Sequence, residues 1–214
     1  MKKIDIDFYN KHGWVLIKEA IPLDIIDELR VRGTKLREWV EDKVGTPSQY
    51  GPLVHWKGVG CAGMYDEYLL KFYQSTLMFD IVSQLLDSQT IFKYNDQMVI
   101  KLPDDDFGFD IHADNEFGNE NKDGSIHTVN MGVALDEFTD MNGTLEVLNI
   151  DDEEWVTVYP QAGDIIAING NTKHCSSPNY SEDSRGLYAC VYSEKQLNHA
   201  NFYRDQFIEK FELW

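Results

Sequence analysis

Mainly β with flanking helices, an α+β chain whose strands close into a jelly roll, is the fold class this sequence predicts, and three observations carry it. Apolar residues recur at helical spacing in the first part of the chain. From about residue 89 the apolar period changes to two, and short strand-like runs follow one another between turn residues. The chain has 214 residues, enough for one full hydrophobic core, and shows no repeat or linker to mark a second domain. The expected division is a single domain, 1–214, with a helical part over about 1–88, a rolled core over about 89–195, and a closing helix or tail over 196–214.

The elements justify this in order. "DFYNKHG" reads as a short helix stopped by Gly13, and "WVLIKEA" as a strand. Pro22 suits the first turn of a helix through "PLDIIDELRVRGTKLREWVED", where Ile25, Leu29, Leu36 and Val40 form one apolar stripe that Gly33 weakens in the middle. The Gly-rich stretch 45–63 reads as a loop, in which Trp56 is placed to cap a pocket. Residues 65–87 then read as a second helix with Leu69, Phe72, Tyr73, Leu77, Ile81 and Leu85 on one side. After it come "TIFKYNDQMVIKL", "FGFDIHA", "HTVNMGVALDEF", "GTLEVLNI", "EWVTVYP", "GDIIAIN" and "RGLYACVYSE", with turns at "MNG" and "SEDSRG". Many short antiparallel strands behind two helices are the pattern of a jelly roll packed against helices.

Charge and composition exclude several classes. The formal net charge of −18 opposes a nucleic-acid partner, whose affinity rests on Lys and Arg at the phosphates. No apolar run is long enough to span a membrane, and "MKKIDIDFYN" has no apolar segment of the secretory kind, so a cytoplasmic protein is expected. Cys61, Cys175 and Cys190 show neither a disulfide framework nor a zinc-knuckle spacing. The acidic runs "DDD" and "DDEE" read as solvated loops, or as a field that draws a cationic substrate.

The stretch "FGFDIHADNEFG", 107–118, carries the chemistry. As a regular strand it puts Phe107, Phe109, Ile111 and Ala113 on one side, with Asp110, His112 and Asp114 on the other. His112 and Asp114 are then either a hydrogen-bonded pair or half of a metal site. His174, just past the strand of "AGDIIAIN", supplies a third ligand if the roll brings it alongside. Two imidazoles and one carboxylate make the facial triad of non-haem Fe(II) oxygenases, which leaves positions open for a cosubstrate and dioxygen. Arg185 lies further along, beyond a hairpin turn. It either holds the distal carboxylate of 2-oxoglutarate or sits on the surface paired with Glu182 or Asp183. Gln97 and Lys101, on the strand before the His-x-Asp pair, are candidates to reach 2-oxoglutarate or substrate. His12, His55, His127 and His199 read as surface or packed histidines, and Phe109 and Ile111 as core.

Four stretches in order, His112-Ala113-Asp114, "ALDEFTDMNGTLEVL" (134–148), "AGDIIAINGNTKH" (162–174) and "SPNYSEDSR" (177–185), resemble the phytanoyl-CoA dioxygenase family of Fe(II)/2-oxoglutarate oxygenases. The opening "FYNKHGWVLIKEAIPLDIIDEL" is similar to that family's first elements. The resemblance implies a cupin-like double-stranded β-helix, iron on His112, Asp114 and His174, and 2-oxoglutarate on Arg185. It also implies oxidation of a small-molecule substrate by dioxygen with release of succinate and CO₂. Here "LEVLNIDDEEWVTVYP" runs on without the family's "PGSH" loop and insertion, so the family's substrate does not carry over. Retention of Asp114 sets the chain apart from related halogenases. Two rival readings use the same roll: a non-catalytic binding protein for a metal or small acid, and a 2-oxoglutarate-independent isomerase that recruits Glu116 as a further ligand.

Overall fold

Among the described residues the chain builds two antiparallel sheets, one with the strands Trp14–Ile17, Ile165–Asn169, Thr128–Ala134, Arg185–Ser193, Phe92–Lys101 and Gly58–Gly60 in spatial order, the other with Phe109–His112, His174–Ser176, Leu145–Leu148 and Trp155–Val158. A computed structural model of the protein describes residues 4–44, 58–104, 106–116 and 121–197. Trp56 and nearly all of the proposed closing helix or tail lie outside these residues. The larger sheet comprises β1 (Trp14–Ile17), β2 (Gly58–Gly60), β3 (Phe92–Lys101), β5 (Thr128–Ala134), β8 (Ile165–Asn169) and β10 (Arg185–Ser193). The smaller comprises β4 (Phe109–His112), β6 (Leu145–Leu148), β7 (Trp155–Val158) and β9 (His174–Ser176). The α-helices among the described residues are α1 (Ile6–His12), α2 (Leu23–Val44), α3 (Glu67–Tyr73) and α4 (Thr76–Leu85), all before β3. This is the jelly-roll, double-stranded β-helix architecture.

Alternation along the strands separates two apolar layers. Val129, Met131 and Val133 of β5, with Tyr188, Cys190 and Tyr192 of β10, belong to the cluster that buries Ile26, Leu29, Leu36 and Val40 of α2. The intervening residues face into the roll, where Ala134, Ile166 and Ile168 meet Leu145, Val147 and Val158 of the smaller sheet. The helices therefore close the outer face of the larger sheet, and the roll interior is left for the site. Gly33 has a packing reason within α2: a Cβ there would stand 2.6 Å from Met98 Sδ of β3. The helix crosses the sheet closely because that side chain is missing.

Several expectations need correction. Residues 65–87 are two helices, because Ser75 caps α4 through Met78 N–H and interrupts the ladder while the apolar stripe continues. The loop expected over 45–63 includes strand β2, paired with β3 from Gly58 to Gly60. His174 does follow the strand of "AGDIIAIN", β8, and it opens a further short strand, β9, that the sequence reading did not include. The expected alternation of 107–114 fails at one point. Phe109 pairs with Ser176 and His112 with His174, so three steps on β4 oppose two on β9, and the extra residue makes a β-bulge. Phe109 consequently turns to the same side as His112, and Ile111 is 59% exposed rather than in the core.

Candidate metal centre

The bulge in β4 and the short strand β9 bring the ligands together. His112 and His174 are register partners across the two strands, with ring centroids 4.4 Å apart. Asp114 follows in a single 3-10 turn, Asp114–Glu116, and not in the strand itself. Its Oδ1 is 4.0 Å from His112 Nε2 and 3.9 Å from His174 Nε2. One ligand atom from each of the three residues lies within 4.8 Å of the others, which suits a single divalent ion. Glu116 is exposed and stands outside this cluster.

Each ligand is oriented by a second contact. His112 Nδ1 is 2.6 Å from the Asp110 carbonyl oxygen, and His174 Nδ1 is 3.1 Å from that of Thr172. A carbonyl accepts only, so Nδ1 carries the proton in both rings and Nε2 faces Asp114 as the nitrogen available to a metal. Burial, then the neighbouring His174, lower the His112 pKa below its usual 6.5 and favour the neutral imidazole that a metal requires. Asn130 Nδ2 donates to Asp114 Oδ2 at 2.9 Å.

A polar bracket ties the turn of Asp114 to the strand of His174. The Asn115 N–H donates to the Gly170 carbonyl at 3.0 Å, and its side-chain amide donates to Asn171 Oδ1 at 2.6 Å. Asn115 Oδ1 accepts from Thr128 Oγ1 and from Asn121 Nδ2, each at 2.9 Å. Three segments of chain, the turn after β4, β5 and the β8–β9 connection, are thereby joined next to the ligands.

Across the roll, on the larger sheet, lie two cations. Arg185 and Lys101 are register partners on β10 and β3, and both are buried, at 1% and 0% exposure. Lys101 Nζ donates to Ser176 Oγ at 2.8 Å and to the Ser177 carbonyl, and lies 5.7 Å from the Phe109 ring centroid. Arg185 donates through NH2 to the Gly143 carbonyl at 2.7 Å and stacks 4.3 Å over the Phe138 ring. Gly143 has φ 78°, and a Cβ there would meet the Ser177 carbonyl at 2.4 Å and Lys101 Nζ at 2.9 Å, so this turn accepts only glycine without rearrangement. Among the described residues no carboxylate pairs with Arg185. Asp136, the acid that raises its pKa, is engaged by Arg30 Nε and the Gly186 N–H. Burial pulls the guanidinium down to about 9, which leaves it charged at neutral pH.

Of the residues singled out in the sequence, His112, Asp114 and His174 converge, and Lys101 and Arg185 stand side by side within the roll. Gln97 is half-buried on the same face of β3, opposite Ala189, without a specific contact to either group. The alternative of a surface Arg185 paired with Glu182 or Asp183 is overturned by its burial. Ser176, Asn115 and Asn130 were not anticipated. Ser176 had a signal, since it lies two residues beyond His174 on the same strand face. Asn115 and Asn130 had none, because their partners come from distant segments. A second acidic group, His12 with Asp151 and Asp152, lies on the surface, where His12 Nδ1 meets Asp151 Oδ1 at 2.7 Å beside Lys11.

Fold and site together define a double-stranded β-helix with a His, Asp, His cluster in its interior. Solved structures share the fold. The 2-oxoglutarate-dependent carbocyclase SnoK from nogalamycin biosynthesis matches with TM-score 0.76 at 15% identity, over 100% of this chain and 94% of that one. EctD from S. alaskensis, solved with 2-oxoglutarate and 5-hydroxyectoine, gives TM-score 0.73 at 16% identity, over 88% and 74%. The epimerase SnoN, in complex with Fe3+, 2-oxoglutarate (alpha ketoglutarate) and nogalamycin RO, gives 0.70 at 14%, over 88% and 82%. At these identities the likeness is one of fold. No known family profile matches the chain, and no curated protein matches it. Among the described residues no helix is long and apolar enough to cross a membrane.

Proposed function

We propose that this protein is an Fe(II)- and 2-oxoglutarate-dependent oxygenase that hydroxylates a small molecule and releases succinate and CO₂. The observation that carries the reading is a three-ligand His, Asp, His cluster sharing the roll interior with a buried arginine that has no carboxylate partner among the described residues. His112, Asp114 and His174 hold the iron through two nitrogens and one oxygen, a donor set suited to Fe(II) that leaves positions for 2-oxoglutarate and dioxygen. His174 and Ser176 are two steps apart on one face of β9, roughly 7 Å, and Ser176 touches Lys101, the partner of Arg185. That reach suits a five-carbon diacid with its keto acid end at the ion and its far carboxylate at Arg185 and Lys101. When bound, iron and 2-oxoglutarate supply the oxidising chemistry. The chain positions them, turns both imidazoles so that Nε2 faces the ion, and keeps the far carboxylate out of water.

The neighbours SnoN and EctD, which hold 2-oxoglutarate in their structures, support the cosubstrate assignment. The order of the four sequence stretches supports a place beside the phytanoyl-CoA dioxygenase family, with a different substrate. The charge of −18 favours a cationic small molecule, and three free cysteines fit a reducing, cytoplasmic setting. A binding protein for metal alone has no use for the buried Arg185, and an isomerase needs a further ligand that the exposed Glu116 does not provide here.

The test is anaerobic addition of Fe(II) and 2-oxoglutarate to the metal-free protein, followed by air. A visible charge-transfer band and then succinate are expected. Folded protein that gives neither leaves the binding-protein reading in its place.

A further inference from the structure

We infer that Asn130 fixes how Asp114 presents its carboxylate to the ion, an inference that rests on the metal-centre reading above. Asn130 lies on β5 between Ile168 of β8 and Val191 of β10. Its neighbours Val129 and Met131 face the helices, so its own side chain faces into the roll. A carboxylate only accepts hydrogen bonds, so the 2.9 Å contact with Asp114 Oδ2 must come from Nδ2, and this settles the orientation of the amide. The amide oxygen then points away and is buried, with no hydrogen-bond partner among the described residues.

An unpaired buried acceptor destabilises a fold, and both cross-strand neighbours, Ile168 and Val191, are apolar. A valine or isoleucine at 130 suits this strand better on packing grounds alone. What the asparagine adds is its one hydrogen bond to Asp114. That bond occupies Oδ2 and leaves Oδ1 as the oxygen that faces His112 and His174 at 4.0 and 3.9 Å. Asp114 therefore ligates through one oxygen, and the coordination position that a second oxygen takes in a bidentate carboxylate stays open for a chelating cosubstrate. Without Asn130 the carboxylate is able to turn both oxygens to the ion.

The experiment compares wild type, Asn130→Val, the isosteric Asn130→Asp, Asn130→Gln and Asp114→Ala, using Co(II) as a spectroscopic probe. Thermal melting of the metal-free proteins, visible spectra of the Co(II) forms and 2-oxoglutarate affinity of the Co(II) forms are read separately. Asn130→Val is expected to melt no lower than wild type. Its Co(II) spectrum changes, and it takes 2-oxoglutarate more weakly, on the order of the 10–100-fold that losing a residue behind a ligand costs in metal affinity or activity. Asn130→Asp shows the same spectral change because the donor is gone, and Asn130→Gln, which keeps an amide donor, falls between. Unchanged spectra and affinities in both the Val and Asp proteins overturn the role. A lower melting point and lost metal binding in Asn130→Val, with Asn130→Asp like wild type, show a packing role and overturn it too. If wild type binds no Co(II), or Asp114→Ala binds it equally well, the metal-centre reading itself fails and this inference goes with it.

Discussion

His112 and His174 sit directly opposite each other on β4 and β9, and the carboxylate oxygen of Asp114 stands within 4.0 Å of the Nε2 atom of each. The three side chains come from two strands and a turn that are held by their own backbone pairing, so removing one ligand leaves the scaffold intact. His174→Ala and Asp114→Ala are each expected to abolish Fe(II) binding while circular dichroism and melting temperature stay close to wild type. Tight Fe(II) binding by either variant would falsify the ligand assignment.

The protonation of His112 gives the centre a pH dependence of definite sign. Burial lowers its folded-state pKa below 6.5, so metal binding persists through that pH and is lost only as pH falls through the depressed value. Over the same window the unfolded chain binds the proton that the folded chain refuses, so the metal-free protein loses stability as pH falls from 6.5. Fe(II) titrations across the acidic range measure the first effect and urea melts of the metal-free protein the second. Half-loss of metal binding at or above 6.5 contradicts it.

Arg185 and Lys101 call for a different outcome, because the proposed function places them at the cosubstrate and not at the ion. Replacing Arg185 by Ala deletes charge-assisted hydrogen bonds worth about 1.5–3 kcal/mol, so 2-oxoglutarate affinity should fall by roughly 10–100-fold. Fe(II) affinity stays unchanged. Arg185→Lys keeps the charge but loses the planar fork, and is expected to recover only part of the loss. Titration of the charge-transfer band reads both numbers. A variant with normal 2-oxoglutarate affinity removes Arg185 from the site.

Much of this was legible in the sequence, and the failures have a common physical origin. Strands β5, β8 and β10 alternate plainly because one face of each packs on the helices, as Val129, Met131 and Val133 do. The His-x-Asp pair and His174 were singled out by residue type, by spacing and by the resemblance of four stretches in order, and the structure brings the three side chains together. The bulge at 109–112 was not, since an extra residue leaves no mark on composition and exists only relative to β9. The break at Ser75 carried a capping residue, but the apolar stripe ran through it and masked the signal. Asn115 and Asn130 act across long sequence separations, where one sequence holds no trace of the partner.

The bulge reverses the expected roles of two neighbouring apolar residues. Ile111 is 59% exposed, so Ile111→Ser is expected to change stability by no more than about 0.5 kcal/mol. Phe109, turned inward beside Lys101 and 6.2 Å from the His112 ring, is the sensitive position. Phe109→Ala should weaken 2-oxoglutarate binding and lower the melting temperature together. A regular strand predicts a large loss at Ile111, so melting curves of the two variants separate the geometries.

Asn115 tests whether the centre depends on a bracket behind it. Its side chain joins the Asp114 turn to Thr128 of β5 and to Asn171, three residues before His174 in sequence. Asn115→Ala removes that side-chain amide and leaves Thr128 Oγ1 without its acceptor, a loss worth about 1–3 kcal/mol when buried, while Asn121 Nδ2 keeps the Ile126 carbonyl. The ligands themselves are untouched, so the expected result is a lowered melting temperature in the metal-free protein and Fe(II) affinity reduced about 10-fold or more. Bound metal then raises the melting temperature less than in wild type, because binding must also restore the lost spacing between Asp114 and His174. Reduced stability with wild-type Fe(II) affinity shows instead that the ligand spacing is set by the strand pairing of His112 with His174 alone.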